Sequence, residues 1–340
     1  MRTTAPRLTS WTRAHARAWV WGALALTLGL QAPTAQAESK VYRIGVLKTA
    51  SHAALDADER GFEAALASAG FREGVNVVYD RHNAQGNASR AQVMARQLVA
   101  ARVDLVHSIG TPATQAVVGS GGKIPLVFSS ITDPVKAGIV PPGSAPGHKT
   151  GGHITGVSDQ WPVFLQMQTY LKFVPQAKVW GTIYNPSEVN SVTHVQAMRQ
   201  AAHQLGLQLV EVTIQHSQEV ERAALALVGK VQAIVITSDN TTVANFEALV
   251  KVCEQHRTPV FAGDVDSVAR GAVAAYGMDY FLVGYAAGKK AALVLKGVSP
   301  GNIPWGPVEK YSFVINRQAA RQQGVTLPPR LLQKADKLLH

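Results

Sequence analysis

Polar side chains recur in the loops that follow the apolar, strand-like segments of this 340-residue chain. These loops hold hydroxyls, amides and carboxylates, but no cluster of lysine or arginine that would suit a phosphate. Where such a loop leads into a helix, free N–H groups and the helix dipole favour an anion such as a carboxylate, while acidic residues in other loops could hold an ammonium group. The mixture predicts a small zwitterion as the bound molecule. The loops are LKTASH (47–52), HSIGTP (107–112), SSITDP (129–134), YNPSEVNS (184–191), TSDNTT (237–242) and GDVDS (263–267).

Sequence motifs for enzyme, metal and nucleotide chemistry are missing. No G-x-S-x-G elbow is present for a nucleophilic serine, and the one cysteine, Cys253, falls within a predicted helix, where a core thiol is expected. The 11 histidines include no H-E-x-x-H pair, and no P-loop or strand-linked G-x-G-x-x-G occurs. We therefore expect no catalytic residue, no metal and no cofactor.

Short apolar runs alternate with amphipathic stretches from residue 42 onward, which predicts an α/β fold with doubly wound parallel sheets. Ligands of such sheets bind beyond the carboxyl ends of the strands, where the polar loops lie. Serine, threonine, asparagine and aspartate are also ordinary helix caps, so their recurrence in both halves is what favours a binding role. A Gly/Pro-rich stretch, 137–155, is predicted to be a loop. Strands are predicted at 42–47, 76–82, 103–110, 124–130, 178–185, 207–214, 231–238, 258–264, 271–279 and 308–316, and helices at 55–69, 89–101, 162–173, 189–205, 218–228, 243–256 and 281–295 and from Thr111.

The first 37 residues are predicted to be a cleaved secretory signal peptide. Four arginines precede an apolar run of 13 residues (18–30), and A-Q-A at 35–37 supplies the small residues of a cleavage site. The run is too short to span a bilayer and no cysteine follows it, so we expect a periplasmic protein without a lipid anchor; an uncut anchor helix is the alternative. Loss of the four arginines lowers the net charge from +11 to +7. An exported chain without runs of like charge is not expected to bind nucleic acid.

Eight segments of the chain together resemble the ABC-transporter substrate-binding proteins of the tryptophan/tyrosine-transport type. They follow the family's order over nearly the whole chain after residue 37. They are SHAALDADERGF (51–62), GTPATQAV (110–117), IPLVFSSITDPVKAGIV (124–140), GHITGVSD (152–159), YNPSEVNS (184–191), TSDNTTV (237–243), PVFAGD (259–264) and YSFVINRQAARQQGV (311–325).

The resemblance implies the type I periplasmic-binding fold, in which two Rossmann-like, doubly wound lobes enclose a ligand cleft. Lobe 1 would comprise 38–156 plus 272–309, and lobe 2 would comprise 157–271 plus 310–340. It also implies a monomer that captures its ligand by hinge closure and delivers it to an ABC permease and its ATPase at the inner membrane.

Ligand-binding residues carried over from the family by position come from both lobes. Thr111 and the amides after it are expected to hold a ligand carboxylate, and Asp239 or Glu188 an ammonium group. Aromatic residues that could stack on a ligand, or equally pack in a core, are Tyr184, Tyr280 and Trp161. The other implied site residues are Ser51, His52, Ser108, Thr132 and Asp133 in lobe 1, Asn185, Asn190, Ser191 and Asn240 in lobe 2, and Asp264 near a crossover.

The sequence departs from the family pattern near the expected cleft. Ala53 follows His52 where the family commonly has proline, and His153 replaces the usual asparagine before I-T-G-V. The preceding loop is lengthened by 141–150. The expected ligand is therefore a small polar or zwitterionic solute, with amino acids, including aromatic ones, as candidates.

Two other functions fit the sequence. A receptor of the same fold could report to a signalling partner instead of a permease. An exported hydrolase would need a pair of carboxylates such as Asp239 and Asp264, with their pKa values pushed apart, and nothing in their spacing requires this.

Overall fold

The computed structural model describes residues 40–340, which form two sheets flanked by helices. The predicted signal peptide, 1–37, lies outside the described residues. Within 40–340, no helix combines the length and the hydrophobicity needed to cross a membrane. The predicted α/β fold class is confirmed.

Strands and helices alternate along the chain, as predicted. The strands are β1 (Tyr42–Lys48), β2 (Val77–Asn83), β3 (Leu105–Ile109), β4 (Leu126–Ile131), β5 (Ile154–Ser158), β6 (Val179–Tyr184), β7 (Gln208–Thr213), β8 (Ala233–Val235), β9 (Val260–Asp264), β10 (Ala274–Met278), β11 (Gly306–Pro307), β12 (Ser312–Asn316) and β13 (Lys337–Leu339). The α-helices are α1 (Ala53–Ser68), α2 (Ala88–Ala100), α3 (Thr111–Gly119), α4 (Val163–Tyr170), α5 (Val189–Leu205), α6 (Val220–Leu227), α7 (Asn240–Val243), α8 (Phe246–His256), α9 (Tyr280–Leu295), α10 (Arg317–Gln322) and α11 (Pro329–Lys334).

The first sheet has the strand order β11–β5–β4–β3–β1–β2, and all its pairs are parallel. The second sheet has the order β13–β12–β10–β9–β8–β6–β7 and is parallel except for the antiparallel pair of β10 and β12. Every residue of β3, β4 and β9 is buried. Such continuous burial is typical of parallel strands covered by helices on both faces.

The chain passes between the two sheets three times, after β5, after β10 and after β11. Sequence analysis placed 272–309 with the first lobe, but β10 pairs with β9 in the second sheet. The second passage therefore lies at Asp279, between β10 and α9. An apolar strand carries no local signal of which of two sheets it joins, which explains the difference.

Helices α1 and α9 pack so closely that their backbones touch. A Cβ atom on Gly61 would overlap the carbonyl oxygen of Phe281, and one on Gly284 would overlap the carbonyl oxygen of Asp58. Helix α1 starts shortly after the carboxyl end of β1, and α9 starts directly after β10. A predicted site residue lies at each start: His52 directly before α1, and Tyr280 as the first residue of α9.

Candidate ligand-binding site

A small cavity lies where the carboxyl-terminal ends of strands from the two sheets meet. Its volume is about 20 Å³, which is room for about one water molecule. The structure brings eight of the predicted site residues to this cavity: His52, Thr132, Trp161, Asn190, Asp239, Asn240, Asp264 and Tyr280. Three further polar residues, which sequence analysis did not select, also line it: Ser130, Asp159 and Ser238.

Loops from the two sheets touch directly across the cavity. His52 Nε2, before α1, lies 3.3 Å from Oδ1 of Asn240, which begins α7. The Thr132 hydroxyl, after β4, lies 3.2 Å from the Ser238 hydroxyl, after β8. These contacts leave only a small enclosed space, so the two halves of the molecule are closed on one another.

Asp239 is fully buried, and the chain itself uses both of its carboxylate oxygens. Oδ1 accepts hydrogen bonds from the backbone N–H and the hydroxyl of Thr242, both at 2.6 Å. Oδ2 accepts from the Asn185 N–H at 2.8 Å and from the Ser191 hydroxyl at 2.7 Å. Asp239 caps α7 and ties it to the loop after β6, which leaves its oxygens little capacity for a ligand ammonium, contrary to the expectation from sequence.

Glu188 plays a similar bracing role. Its Oε2 accepts from the backbone N–H and the side-chain amide of Asn240 and from the Asn190 amide, while Oε1 accepts from the N–H and hydroxyl of Thr241. Burial, reinforced by the negative charge of Glu188, raises the pKa of Asp239 to about 7. Both acidic residues that the sequence assigned to a ligand ammonium instead hold the wall of the site together.

Thr111, assigned from sequence to a ligand carboxylate, does not line the cavity. It is buried, and an amide of the same helical turn, Ala113 N–H, already donates to the Thr49 hydroxyl at 3.1 Å. Ser108 is also buried, and its hydroxyl pairs with that of Thr114 at 2.8 Å. The Ser108 and Thr49 contacts stabilise the start of α3, whereas the buried Thr111 hydroxyl has no hydrogen-bond partner among the described residues.

Three other predicted residues also lie away from the cavity. Ser51 is exposed and donates to Asp56, Asp133 accepts from the Lys136 N–H, and the Tyr184 hydroxyl donates to Glu211. Position at a strand end was correct for all three, but sequence does not show which way each side chain points.

Asp159 supplies an unpaired acceptor in the cavity wall. It follows β5 and is buried, and its Oδ2 accepts a hydrogen bond from the Tyr280 hydroxyl at 2.5 Å. Its Oδ1 has no hydrogen-bond partner among the described residues. Burial, with a smaller contribution from Asp264, raises the pKa of Asp159 to about 6, although the nearby Tyr280 and Thr132 hydroxyls favour its ionised form. Sequence analysis missed this residue because it assigned the start of β5 to the Gly/Pro-rich loop.

The cavity is rich in acceptors, and burial lowers the pKa of His52, a histidine in its wall, to about 4. Within residues 40–340, no lysine or arginine lines it. Asn190 Oδ1 is a second buried acceptor without a partner there. Asp264 also faces the cavity, although each of its oxygens accepts a hydrogen bond from Ser267. No group of three or more histidine, cysteine, aspartate or glutamate side chains in the described range is arranged to hold a metal ion.

A buried polar chain lies behind the wall formed by Ser130. Ser130 adopts the left-handed conformation with φ of 58°, which is uncommon for a serine, and its hydroxyl donates to Asp58. The Ser129 hydroxyl donates to the other oxygen of Asp58 at 2.8 Å and lies 2.8 Å from His107 Nε2. Desolvation raises the pKa of Asp58 to about 7 and lowers that of His107 to about 3.

The chain is similar over most of its length to known proteins that bind amino acids. The tyrosine-binding protein of Clostridioides difficile (strain R20291) is 34% identical over 282 residues, covering 83% of this chain and 81% of the relative. A crystal structure of the ABC domain in complex with L-Trp from Streptococcus pneumonia is 31% identical, with a TM-score of 0.83 over 88% of this chain and 100% of that chain.

A third relative was solved in a different state. It is the ligand-free, open structure of a substrate binding protein with adhesive properties from Clostridium difficile, which is also 31% identical. It covers 88% of this chain and 99% of that chain, but its TM-score is 0.64. At equal identity, the present structure is therefore more similar to the L-Trp complex than to the open form.

The model of the family described as ABC transporter substrate binding protein matches residues 43–339. This match covers nearly all of the described residues. The chain therefore belongs to the ABC transporter substrate-binding proteins, binding receptors that capture a solute for an importer.

Proposed function

We propose that this protein captures a small amine-bearing solute, such as an amino acid, by closing two lobes around it, and delivers it to an ABC permease and its ATPase. The observation that carries the proposal is the unpaired Oδ1 of Asp159 in a cavity that both sheets enclose and that no lysine or arginine of residues 40–340 lines. Export to the periplasm without a lipid anchor is part of the same proposal and rests on the sequence of residues 1–37. The monomeric state is also part of it and rests on the resemblance to the family.

An ammonium group matches the polar atoms that the cavity leaves open. A buried acceptor without a donor costs free energy, on the order of 1–3 kcal/mol. An ammonium has three donors and no acceptor, so it can satisfy Asp159 Oδ1 and Asn190 Oδ1 together. A hydrogen bond to an ionised carboxylate is also among the stronger ones available to such a ligand.

Hydroxyl donors are available for the carboxylate of an amino acid. The Thr132 hydroxyl now pairs with the Ser238 hydroxyl across the cavity and would be released when a ligand carboxylate enters between them. The Ser238 hydroxyl can also donate to the carboxylate when His194 Nδ1 supplies the proton of their 2.5 Å contact. The Ser130 hydroxyl lies in the same wall but already donates to Asp58. A ligand carboxylate would raise the pKa of Asp159 and a ligand ammonium would lower it, so the two charges of a zwitterion act on Asp159 in opposite directions.

Closure requires that two bodies move about the segments that join the sheets. We take lobe 1 as 40–158 plus 280–307 and lobe 2 as 163–278 plus 312–340, following the strands of each sheet. Hinges would then lie at 159–162, at Asp279 and at 308–311. The greater similarity to the L-Trp complex than to the open relative supports such a motion.

The contacts of Asp239 and Asp264 argue against the alternative of an exported hydrolase that would use them as a catalytic pair. Asp239 accepts four hydrogen bonds from its own lobe, and Asp264 is held by Ser267. Neither oxygen pair is placed to share a proton with the other as an acid–base pair would require.

A thermal-shift screen of the folded protein tests the proposal. The panel contains amino acids, simple amines, sugars, polyols and nucleosides at one ionic strength. A ligand present at 100 times its Kd should add about 2.7 kcal/mol to the free energy of unfolding, which is a clear rise in Tm. We expect the rise with amine-bearing compounds; a rise only with sugars or polyols would contradict the proposal.

A further inference from the structure

The indole of Trp161 forms part of the cavity wall. Trp161 lines the cavity and is only 6% exposed. It lies in the segment between β5 and α4, directly after the acceptor Asp159. Its position therefore helps to determine how much space is left for the rest of a ligand whose ammonium group binds Asp159.

Protein groups already pack against this indole and hold its orientation. The His194 ring stacks on it, with ring centroids 4.6 Å apart and an angle of 25° between the planes. The indole N–H donates to the Tyr280 hydroxyl at 3.3 Å. His194 is itself fixed by a contact of 2.5 Å between its Nδ1 and the Ser238 hydroxyl.

Gly263 at the end of β9 provides the surface on which the indole lies. A Cβ atom at this position would overlap Trp161, about equally near Cζ3 and Cε3 and slightly farther from Cη2. Those relations place the added atom above the face of the six-membered ring, not beside its edge. The absence of a side chain at residue 263 therefore lets the indole lie flat on the backbone.

We propose that Trp161, seated on Gly263, is the residue that limits the size of the ligand, so that the site takes an amino acid or amine with a short side chain and excludes indole and phenol side chains. This inference rests on the proposed function and adds the class of ligand to it. Because the cavity is about 20 Å³, any ligand needs the lobes to part, and a short side chain requires the least displacement of the indole, which Gly263 and His194 hold in place. The ligand of the L-Trp-binding relative would have to displace it.

Calorimetric titration of the wild type and Trp161→Ala with glycine, L-alanine, L-serine, L-tyrosine and L-tryptophan tests the inference. We expect the wild type to prefer one of the three small amino acids over L-tryptophan by at least about 100-fold, the scale on which a filled pocket rejects a larger side chain. Trp161→Ala should bind L-tryptophan at least about tenfold more tightly than the wild type does. Phe164→Ala is the control, because Phe164 is an aromatic residue of α4 that is 38% exposed and does not line the cavity.

Gly263→Ala gives a second measurement that does not depend on ligand identity. It should lower the Tm in the wild-type background, where its Cβ meets the indole, and have a smaller effect when combined with Trp161→Ala. Equal effects in both backgrounds would overturn the seating of Trp161 on Gly263. Trp161→Phe replaces Trp161→Ala in both experiments if the alanine variant does not fold.

The titrations also separate this inference from the function on which it rests. Tighter binding of L-tryptophan or L-tyrosine than of the small amino acids by the wild type would overturn the size limit while supporting amine capture. Binding of none of the five amino acids by either protein, with no response to simple amines in the thermal-shift screen, would overturn the proposed function and the size limit together.

Discussion

The Tyr280 hydroxyl donates a hydrogen bond of 2.5 Å to Oδ2 of Asp159, and this bond joins two of the segments through which the chain passes between its sheets. Asp159 follows β5 of the first sheet, and Tyr280 follows β10 of the second. The bond leaves the other oxygen of Asp159 free in the cavity. The same side chain therefore belongs to the ligand site and to the junction about which the lobes would turn.

Asp159→Asn is expected to weaken binding of an amine-bearing ligand by at least about tenfold, because a hydrogen bond from an ammonium to a carboxylate is worth roughly 1.5–3 kcal/mol. The variant should still fold, since the amide can accept from Tyr280, and near pH 7 it should be at least as stable as the wild type because it buries no charge. Calorimetric titration and urea denaturation measure the two effects. Asp133→Asn, a helix-capping change outside the cavity, is the control, and equal affinities for all three proteins would remove Asp159 from the site.

Affinity for an amine ligand should fall as the pH drops below about 6. Burial holds the pKa of Asp159 at about 6, and the ligand ammonium requires the ionised form. Titrations between pH 5 and 8 should show affinity decreasing by about tenfold per pH unit below that pKa, and Asp159→Asn should lose this dependence. An unchanged slope in the variant would assign the pH dependence to another group.

In the ligand-free protein, Asp159 should make stability change with pH in the opposite direction to ligand affinity. Stability should rise as the pH falls. The pKa of Asp159 is 3.8 in an unfolded chain and about 6 in the folded one, so the folded state binds more protons between these values. Its stabilising contribution is fully present below pH 3.8 and is lost as the pH rises through about 6. The free energy of unfolding of the wild type, relative to Asp159→Asn, should therefore rise on going from pH 7 to pH 4, by about 2–3 kcal/mol.

Asp239→Asn should destabilise the protein. The amide would place a donor against groups that now donate to Asp239, namely Thr242, Asn185 and Ser191. We expect a loss of about 1–3 kcal/mol in urea denaturation. Affinity for an amine, measured where the variant is folded, should fall much less than in Asp159→Asn; the reverse order would return Asp239 to the role predicted from sequence.

Gly284→Ala should destabilise the packing of α1 against α9, by about 1–3 kcal/mol or more, because the new methyl group would overlap the backbone of Asp58. Gly119→Ala is the matched control. It lies in α3 with open space around the added atom, and alanine there should be neutral or stabilising by up to about 1 kcal/mol. Thermal or chemical denaturation distinguishes the two, and equal stability would show that the helices can move apart at little cost.

Periodicity in the sequence predicted the elements well and their partners less well. The helix predicted at 189–205 is α5, residue for residue, because both its ends carry local signals. The strand β5 was not predicted, since its first residues continue a Gly/Pro-rich loop without a break in composition. The sheet to which β10 belongs depends on long-range pairing, which no local pattern encodes.

The sequence and the structure agree more closely on the location of the candidate site than on its chemistry. The rule that ligands bind beyond strand ends led to loops that meet at the cavity and to His52, Thr132 and Asn190, which line it. It did not distinguish Asp239, whose oxygens cap a helix, from Asp159, whose oxygen is free, because both are aspartates directly after a strand-like segment. That distinction depends on the hydrogen bonds each side chain makes, and these become visible only in three dimensions.

The glycines between α1 and α9 also have a mechanical consequence. Because no side chain separates the two backbones at these glycines, the helices resist sliding or tilting relative to each other. A backbone rotation at Asp279 would therefore move α9 and α1 together as one rigid unit. His52, directly before α1, would move with these two helices. When the three connecting segments bend, the contact between His52 and Asn240 would open.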